Sequence, residues 1–116
     1  MKRKKTNLER KPFWISYDLG VRGDYSGLYE WLDAHDAVEC GDSLAFVTWQ
    51  GAVDKDLTSE VKADLKKAVK LSKHDRIYLI WKDMTSQVKG RFIFGKRKAS
   101  PWTGYSNEET VVEEEA

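Results

Sequence analysis

Asp18 is the residue of this sequence with the strongest chemical interest, because it ends an aromatic-rich segment that is typical of a β-strand. If two copies of the chain met at this strand end, their two Asp18 carboxylates would share one Mg²⁺. Proteins commonly hold Mg²⁺ through one or two carboxylates and several waters, and a water held in this way can attack a phosphodiester. The alternative is that Asp18 caps the turn that runs to Gly23 or pairs with Arg22.

Phosphate binding is a second chemistry that the sequence indicates, because six basic residues stand against one acidic residue between positions 82 and 98. Cations interleaved with aromatic residues are typical of surfaces that hold phosphates and stack on bases or riboses. The cations in question are Arg91, Lys96, Arg97 and Lys98, and the aromatic neighbours are Phe92, Phe94, Trp102 and Tyr105. The alternative is a solvated basic surface that the acidic end of the chain neutralises.

The composition describes the molecule that must position these residues. The 116 residues are 41% hydrophobic and 34% charged, which is typical of one globular domain. The sequence has no apolar run of about 18 residues, and its first residues are polar, which predicts a cytoplasmic protein without a membrane segment. Cys40 is the single cysteine, and together with His35 and His74 it does not form a zinc-ligand set.

The two ends of the chain carry opposite charges. Residues 1–11 contain six basic residues and one acidic residue, whereas residues 106–116 contain five glutamates and no basic residue. These compositions predict a basic N-terminal extension over 1–11, one domain over 12–105 and an acidic disordered tail over 106–116. The acidic tail is a candidate for binding a basic partner or for masking the chain's own basic residues.

Residue periodicity predicts an alternation of strands and helices. The predicted strands cover residues 13–19, a short piece at 37–40, 43–49, 76–81 and 91–94. The first helix has Asp24 as its N-cap and an apolar stripe formed by Tyr25, Leu28, Tyr29 and Leu32. Thr58 is the predicted N-cap of the second helix, whose apolar face includes Val61, Leu65, Ala68 and Ser72.

This order of elements predicts an α+β fold, a ferredoxin-like two-layer sandwich with β-α-β-β-α-β order and a further C-terminal strand. The segment after the first strand lacks the third glycine of the dinucleotide fingerprint, so a nucleotide cradle is rejected. Both helices would cover one face of the sheet and leave the other face with aromatic residues that include Trp14 and Trp49. We expect a homodimer in which each open face meets its copy, or in which the last strand lengthens a sheet edge of either subunit.

The segments Trp14-Ile15-Ser16-Tyr17-Asp18-Leu19 and Ser43-Leu44-Ala45-Phe46, with the order of the elements, resemble the CRISPR-associated Cas-two family over roughly residues 13–81. This resemblance implies a ferredoxin-like dimer that is either a Mg²⁺-dependent nuclease or a non-catalytic scaffold of spacer integration. Virulence-associated protein D toxins share the fold and a similar first-strand aspartate, so the second choice is a toxin-type ribonuclease.

The resemblance gives roles to three residues. Asp18 would be the catalytic and metal-binding carboxylate, and Ser43 would hydrogen-bond a phosphate or the Asp18 network, although a serine that starts a strand is usually a turn residue. The family has an arginine-bearing segment soon after the aspartate, where this chain offers Arg22 alone. The sequence therefore predicts a nucleic-acid-binding dimer that cleaves RNA or DNA with Mg²⁺. The alternative is a binding or assembly module without catalysis that docks nucleic acid or a protein.

Overall fold

A computed structural model describes residues 7–107 of the chain, which form seven regular elements. The strands are β1 (Leu8–Asp18), β2 (Val38–Glu39), β3 (Leu44–Ala52), β4 (Arg76–Lys82) and β5 (Val88–Phe94). The helices are α1 (Tyr25–Ala34), between β1 and β2, and α2 (Leu57–Ala68), between β3 and β4. The predicted order of elements and the additional C-terminal strand are therefore confirmed.

The five strands form one antiparallel sheet in the order β2-β3-β1-β4-β5. The long strand β1 lies at the centre and pairs with β3 on one side and with β4 on the other. Both helices pack on the same face of this sheet, which makes an α+β domain of two layers. In the described part of the chain, no helix is long and apolar enough to cross a membrane.

The core lies between the helices and the sheet, and strand alternation selects its residues. Phe13 and Ile15 of β1 are fully buried, as the alternation in the sequence predicts, because every second side chain of a strand points to the same face. Alternate residues of β3 and β4 complete the sheet side of the core, and α1 and α2 complete the other side. These residues are Ala45, Val47, Trp49, Ile77, Leu79, Leu28, Trp31, Leu32, Leu57, Val61 and Leu65.

Trp49 lies in this core, so its predicted place on the open face is wrong. Its ring stacks on Trp31 with 6.2 Å between the centroids, and its Nε1 donates to the Glu60 carboxylate at 3.2 Å. The indole therefore packs under the helices, on the side of the sheet where Ala45 and Val47 also lie. Trp14, by contrast, does lie on the open face, where it is 42% exposed.

The two helices begin at aspartate caps. Asp24 accepts a hydrogen bond from the backbone N–H of Gly27 at 3.0 Å, which confirms it as the N-cap of α1. Asp56, and not Thr58, is the N-cap of α2, since its carboxylate accepts from the Ser59 N–H at 3.0 Å. Thr58 lies inside the helix and donates its hydroxyl to Asp56 at 2.6 Å, so it supports the cap that it was predicted to provide.

Several element boundaries also differ from the sequence prediction, and three of them concern the predicted extension and the ends of α2 and β5. Strand β1 begins at Leu8, so the last four residues of the predicted basic extension belong to the sheet. Lys11, one of these residues, donates to the backbone carbonyls of Ala52 and Lys55, each at 2.7 Å, and so helps to hold the β3–α2 connection. Helix α2 ends at Ala68, before Ser72, and β5 begins at Val88, three residues earlier than predicted. Most of the predicted acidic tail, residues 108–116, lies outside the described residues.

Candidate functional site

Asp18 forms an ion pair at one end of the sheet. It is the last residue of β1 and lies directly opposite Arg76, the first residue of β4. Arg76 Nη2 donates to Asp18 Oδ2 at 3.1 Å, with the Asp18 side chain 58% exposed and that of Arg76 25% exposed. Within the described chain, the partner of Asp18 is therefore a cross-strand arginine rather than Arg22.

Four further cations surround this ion pair, and together with Arg76 they form what we call the basic cluster: Lys73, Arg76, Lys96, Arg97 and Lys98. Lys73 comes from the connection between α2 and β4, and the last three follow β5, so the cluster joins segments that are about twenty residues apart in the chain. They line a depression of about 610 Å³ that also includes His74 and Asp18. With one exposed carboxylate among five cations, the surface at this end of the sheet is strongly positive.

The buried carboxylate of Asp75 holds one of the two segments in place. Asp75 is 1% exposed, and its two oxygens accept from the backbone N–H groups of Gly20 at 2.9 Å and Ser72 at 2.8 Å. The bond to Gly20 ties the α2–β4 connection to the end of β1. Asp75 thereby fixes the position of its neighbours Lys73 and Arg76 relative to Asp18.

Gly95 turns the other segment toward the same place. Its φ is 77°, a left-handed conformation that costs glycine little and other residues much more. A Cβ at this position would lie 2.6 Å from the backbone oxygen of Asp75. The close passage of these two backbones brings the 96–98 segment to Lys73 and Arg76.

A groove on the open face of the sheet continues from the basic cluster. It has a volume of about 410 Å³ and is lined by Ser16, Asp18, Leu44, Arg76, Tyr78, Ile80, Phe92 and Arg97. Strand register explains this set, because Ser16 lies between Leu44 on β3 and Tyr78 on β4, and Tyr78 in turn lies beside Phe92 on β5. The small Ser16 side chain leaves room between larger neighbours. We refer to this feature as the aromatic groove.

Arginine side chains lie over the rings of the aromatic groove. Tyr78 and Phe92 form an edge-to-face pair with 4.7 Å between their centroids. The Arg97 guanidinium carbon is 5.4 Å from the Phe92 centroid and 6.0 Å from that of Tyr78, and the Arg76 carbon is 5.6 Å from that of Phe92. These distances are within the range of cation–π attraction, which orders the two guanidinium groups.

A second aromatic pair lies on the same face, one row further along the strands. Trp14 is opposite Phe46 on β3 and Ile80 on β4, and the Trp14 and Phe46 rings meet edge to face at 5.0 Å. Since side chains on one face of a strand recur every second residue, this row lies about 6.7 Å from the Ser16 and Tyr78 row. The open face thus carries two successive aromatic pairs beside a positive end.

The structure brings together some of the predicted site residues and separates others. Lys96, Arg97 and Lys98 lie beside Asp18 in the basic cluster. Arg91 lies opposite Leu79 on the helix side of the sheet and donates to the Thr58 hydroxyl at 3.3 Å, so it is not part of the cluster.

The two residues that the resemblance placed near Asp18 line neither the basic depression nor the aromatic groove. Arg22 is exposed in the turn before α1. Ser43 begins the approach to β3 with a φ of 61°, and its backbone oxygen accepts from the Tyr17 N–H at 3.0 Å. This contact is that of a turn residue that fixes a strand end.

Sequence reasoning missed Lys73 and Arg76 as members of the site. The signal for Arg76 was its place at the start of the most β-like segment. A cation at that position lies opposite Asp18 when β1 and β4 are antiparallel neighbours. Lys73 has no local signal, because it is one of several lysines around α2 and only the fold carries it to Lys96.

The donor set around Asp18 does not fit a metal ion within one chain. Among residues 7–107, no group of three or more His, Cys, Asp or Glu side chains is placed to hold a metal. Asp18 supplies a single carboxylate that already accepts from Arg76, and the Lys and Arg side chains that line the depression with it repel a divalent ion. The expected Mg²⁺ would therefore need a second carboxylate from another chain.

No protein-family model matches this chain, and neither the curated proteins nor the solved structures contain a match.

Proposed function

We propose that this protein binds nucleic acid through the basic cluster. The observation that carries the proposal is the convergence of five cations from two separate segments at one end of the sheet, around a single exposed carboxylate. A polyanion with regularly spaced phosphates is the ligand that such a cluster attracts most strongly, because each phosphate neutralised releases condensed counterions. The alternative of a merely solvated surface explains charge, but it does not explain why two of the guanidinium groups are held over aromatic rings.

The proposal includes a ferredoxin-like fold and the relation to the Cas-two family. Its support is the order β4-β1-β3-β2 of the first four strands, all antiparallel, with both helices on one face. This is the arrangement that two split βαβ units make. Strand β5 is an addition that extends the sheet beyond β4.

A homodimer in the cytoplasm is part of the same proposal. Strand β5 pairs with β4 on one side only, so its outer edge offers backbone groups to a second copy or to a protein partner. The free thiol of Cys40 is exposed, which suits a compartment that keeps thiols reduced. The mass of the purified protein in solution tests the dimer directly.

Cleavage of RNA or DNA at Asp18 with Mg²⁺ stays a prediction of the Cas-two resemblance. It requires that Asp18 exchange Arg76 for a metal ion that a second chain helps to hold. Binding without turnover requires no such exchange, so the ion pair favours the non-catalytic form of the function.

The test is binding of fluorescently labelled RNA and DNA, measured by anisotropy at several salt concentrations. The variant is Lys96→Gln with Lys98→Gln, and the matched control is Lys66→Gln with Lys67→Gln, which removes two exposed cations from α2. We expect the cluster variant to bind about tenfold or more weakly and to have a salt slope lower by roughly one for each phosphate that it no longer neutralises. The control should match the wild type, and equally weakened binding in both variants would reduce the interaction to general charge attraction.

The same samples test catalysis. Wild type and Asp18→Asn are incubated with the labelled RNA and DNA over a range of Mg²⁺ concentrations. Mg²⁺-dependent cleavage that Asp18→Asn abolishes would establish the nuclease form. Retained binding with no cleavage by either protein would establish the binding module.

A further inference from the structure

We propose that the aromatic groove takes unpaired bases, so that the ligand of this protein is single-stranded nucleic acid. This inference rests on the proposed function, because it assigns the form of the nucleic acid that the basic cluster holds.

The composition of the open face is the first step. An antiparallel sheet with helices on one side usually presents polar residues to solvent on the other. Here that face instead carries Trp14, Phe46, Tyr78, Ile80 and Phe92 around the small Ser16, and all five are partly exposed. An apolar patch of this kind usually marks a binding surface.

Continuity with the basic cluster is the second step. Asp18, Arg76 and Arg97 line both the basic depression and the aromatic groove, so the two form one continuous surface. A strand whose phosphates lie on Lys96 and Lys98 therefore has bases within reach of Tyr78 and Phe92. The next aromatic pair, Trp14 and Phe46, lies in the following row of the sheet.

The aromatic groove distinguishes single strands from duplexes. In a duplex the bases are paired and stacked on one another, so protein reaches their edges and not their faces. Unpaired bases stack on aromatic rings and on guanidinium planes, and each such stack changes affinity by about 5- to 150-fold. Rings and guanidinium groups are what this groove supplies.

Charge decides between a nucleic acid and a second copy of the chain as the occupant. Around the aromatic groove, the open face carries Arg76, Arg97 and Lys82 against the carboxylate of Asp18. Two copies of this face would bring like charges together, whereas a polyanion complements them. A dimer through the edge of β5 leaves the face free.

The experiment compares a labelled single strand of RNA or DNA, about 12 nucleotides long to cover one site of this size, with the duplex of the same sequence, at one salt concentration and then along a salt series. The main variant is Tyr78→Leu with Phe92→Leu, which removes both π faces and keeps apolar bulk. Tyr29→Leu is the control, since Tyr29 is an exposed tyrosine on α1, in the helix layer. Circular dichroism checks that each variant is folded.

Gly90→Ala is a second groove variant, and it leaves both aromatic side chains of the groove in the protein. A Cβ at Gly90 would lie 2.8 Å from Tyr78 Cε2, so it must displace the ring that leans over this glycine. We expect both variants to weaken single-strand binding by at least about fivefold while the salt slope and the duplex affinity stay at wild-type values. Tyr29→Leu should bind as the wild type does.

Three outcomes would overturn the inference, and each has a different consequence for the proposed function. In the first, single strand and duplex bind with equal affinity, and this affinity is unchanged in the groove variants but lowered in the cluster variant. This result would exclude base stacking and retain the proposed function. A dimer that Trp14→Ala breaks, with wild-type nucleic-acid affinity, would assign the open face to a second copy. Binding of neither single strand nor duplex at low salt would remove the proposed function itself.

Discussion

The two faces of the central sheet differ in what their side chains contribute. Leu79 and Ile80 are neighbours on β4, but Leu79 is fully buried against the helices whereas Ile80 borders the aromatic groove and is partly exposed. The same contrast separates Phe13 from Trp14 on β1. A strand therefore supplies the core with every second residue and the proposed ligand surface with the others, so stability and binding should respond to different substitutions on the same strand.

The largest expected effect is the difference between Leu79→Ala and Ile80→Ala. Leu79→Ala removes a fully buried side chain and leaves a cavity, which typically costs about 2–5 kcal/mol in free energy of unfolding. Ile80→Ala should cost markedly less, roughly 1 kcal/mol, because part of its surface is already in water. Urea unfolding followed by circular dichroism measures both. Similar destabilisation by the two substitutions would indicate that the open face is covered, as in a dimer through this face.

The next effect concerns the ends of β4. Asp75→Asn keeps the shape of the side chain but replaces one of its two accepting oxygens by an NH2 group, which cannot accept, so the N–H of either Gly20 or Ser72 loses its partner. We expect a decrease of about 1–3 kcal/mol in unfolding free energy, because a buried donor is left unpaired. Nucleic-acid affinity should also fall, since Lys73 and Arg76 flank this residue.

Asp83→Asn is the matched control at the other end of β4. Asp83 accepts from the N–H groups of Thr85 and Gln87 in the exposed β4–β5 turn, far along the strand from the basic cluster. Its substitution should leave nucleic-acid affinity unchanged and lower stability less than Asp75→Asn does. Equal effects of the two substitutions on affinity would show that Asp75 does not position the cluster.

The smallest effect is a pH dependence in the helix layer. Hydrogen bonds from the backbone N–H groups of Lys70 and Gly27 lower the pKa of Asp24 below its usual value of 3.8. Because the pKa is lower in the folded state, the stabilisation is present above about pH 4 and is lost as the pH falls through the folded pKa. Asp24→Asn, which can still cap α1, should flatten the fall in melting temperature as the pH is lowered below about 4.

Nucleic-acid affinity at neutral pH is the control for this prediction, and Asp24→Asn should leave it unchanged. An unaltered acid transition in the variant would indicate that other carboxylates govern acid unfolding. Asp83 is the first alternative, because hydrogen bonds from the Thr85 hydroxyl and the Gln87 N–H lower its pKa to about 2. Asp56 is the second, because a hydrogen bond from the Thr58 hydroxyl, with further bonds from Ser59, lowers its pKa.

Sequence reasoning was most successful where the determining contacts are local. The alternation of Phe13 and Ile15 with Trp14 and the cap at Asp24 both depend on neighbours within a few residues, and the structure confirms them. The error at Thr58 has the same local origin, because an aspartate two residues earlier is an equally good cap and the sequence offers both.

The remaining differences depend on contacts between distant segments. Trp49 could be placed on either face until the β3 register was known, and its buried place follows from contacts with Trp31 and Glu60 on the two helices. The candidate site has the same dependence. Lys96, Arg97 and Lys98 are a visible run in the sequence, but their meeting with Lys73 and Arg76 requires the pairing of β1 with β4 and the turn at Gly95.

The buried carboxylate of Asp75 also bears on how fast a ligand can bind. Its bonds to Gly20 and Ser72 hold the connection that carries Lys73 before any ligand arrives. A polyanion therefore meets cations whose backbone is already ordered, and little conformational entropy remains to be lost on association. Encounter should then be limited by diffusion and electrostatic steering rather than by a loop rearrangement, which gives a single, strongly salt-dependent association phase.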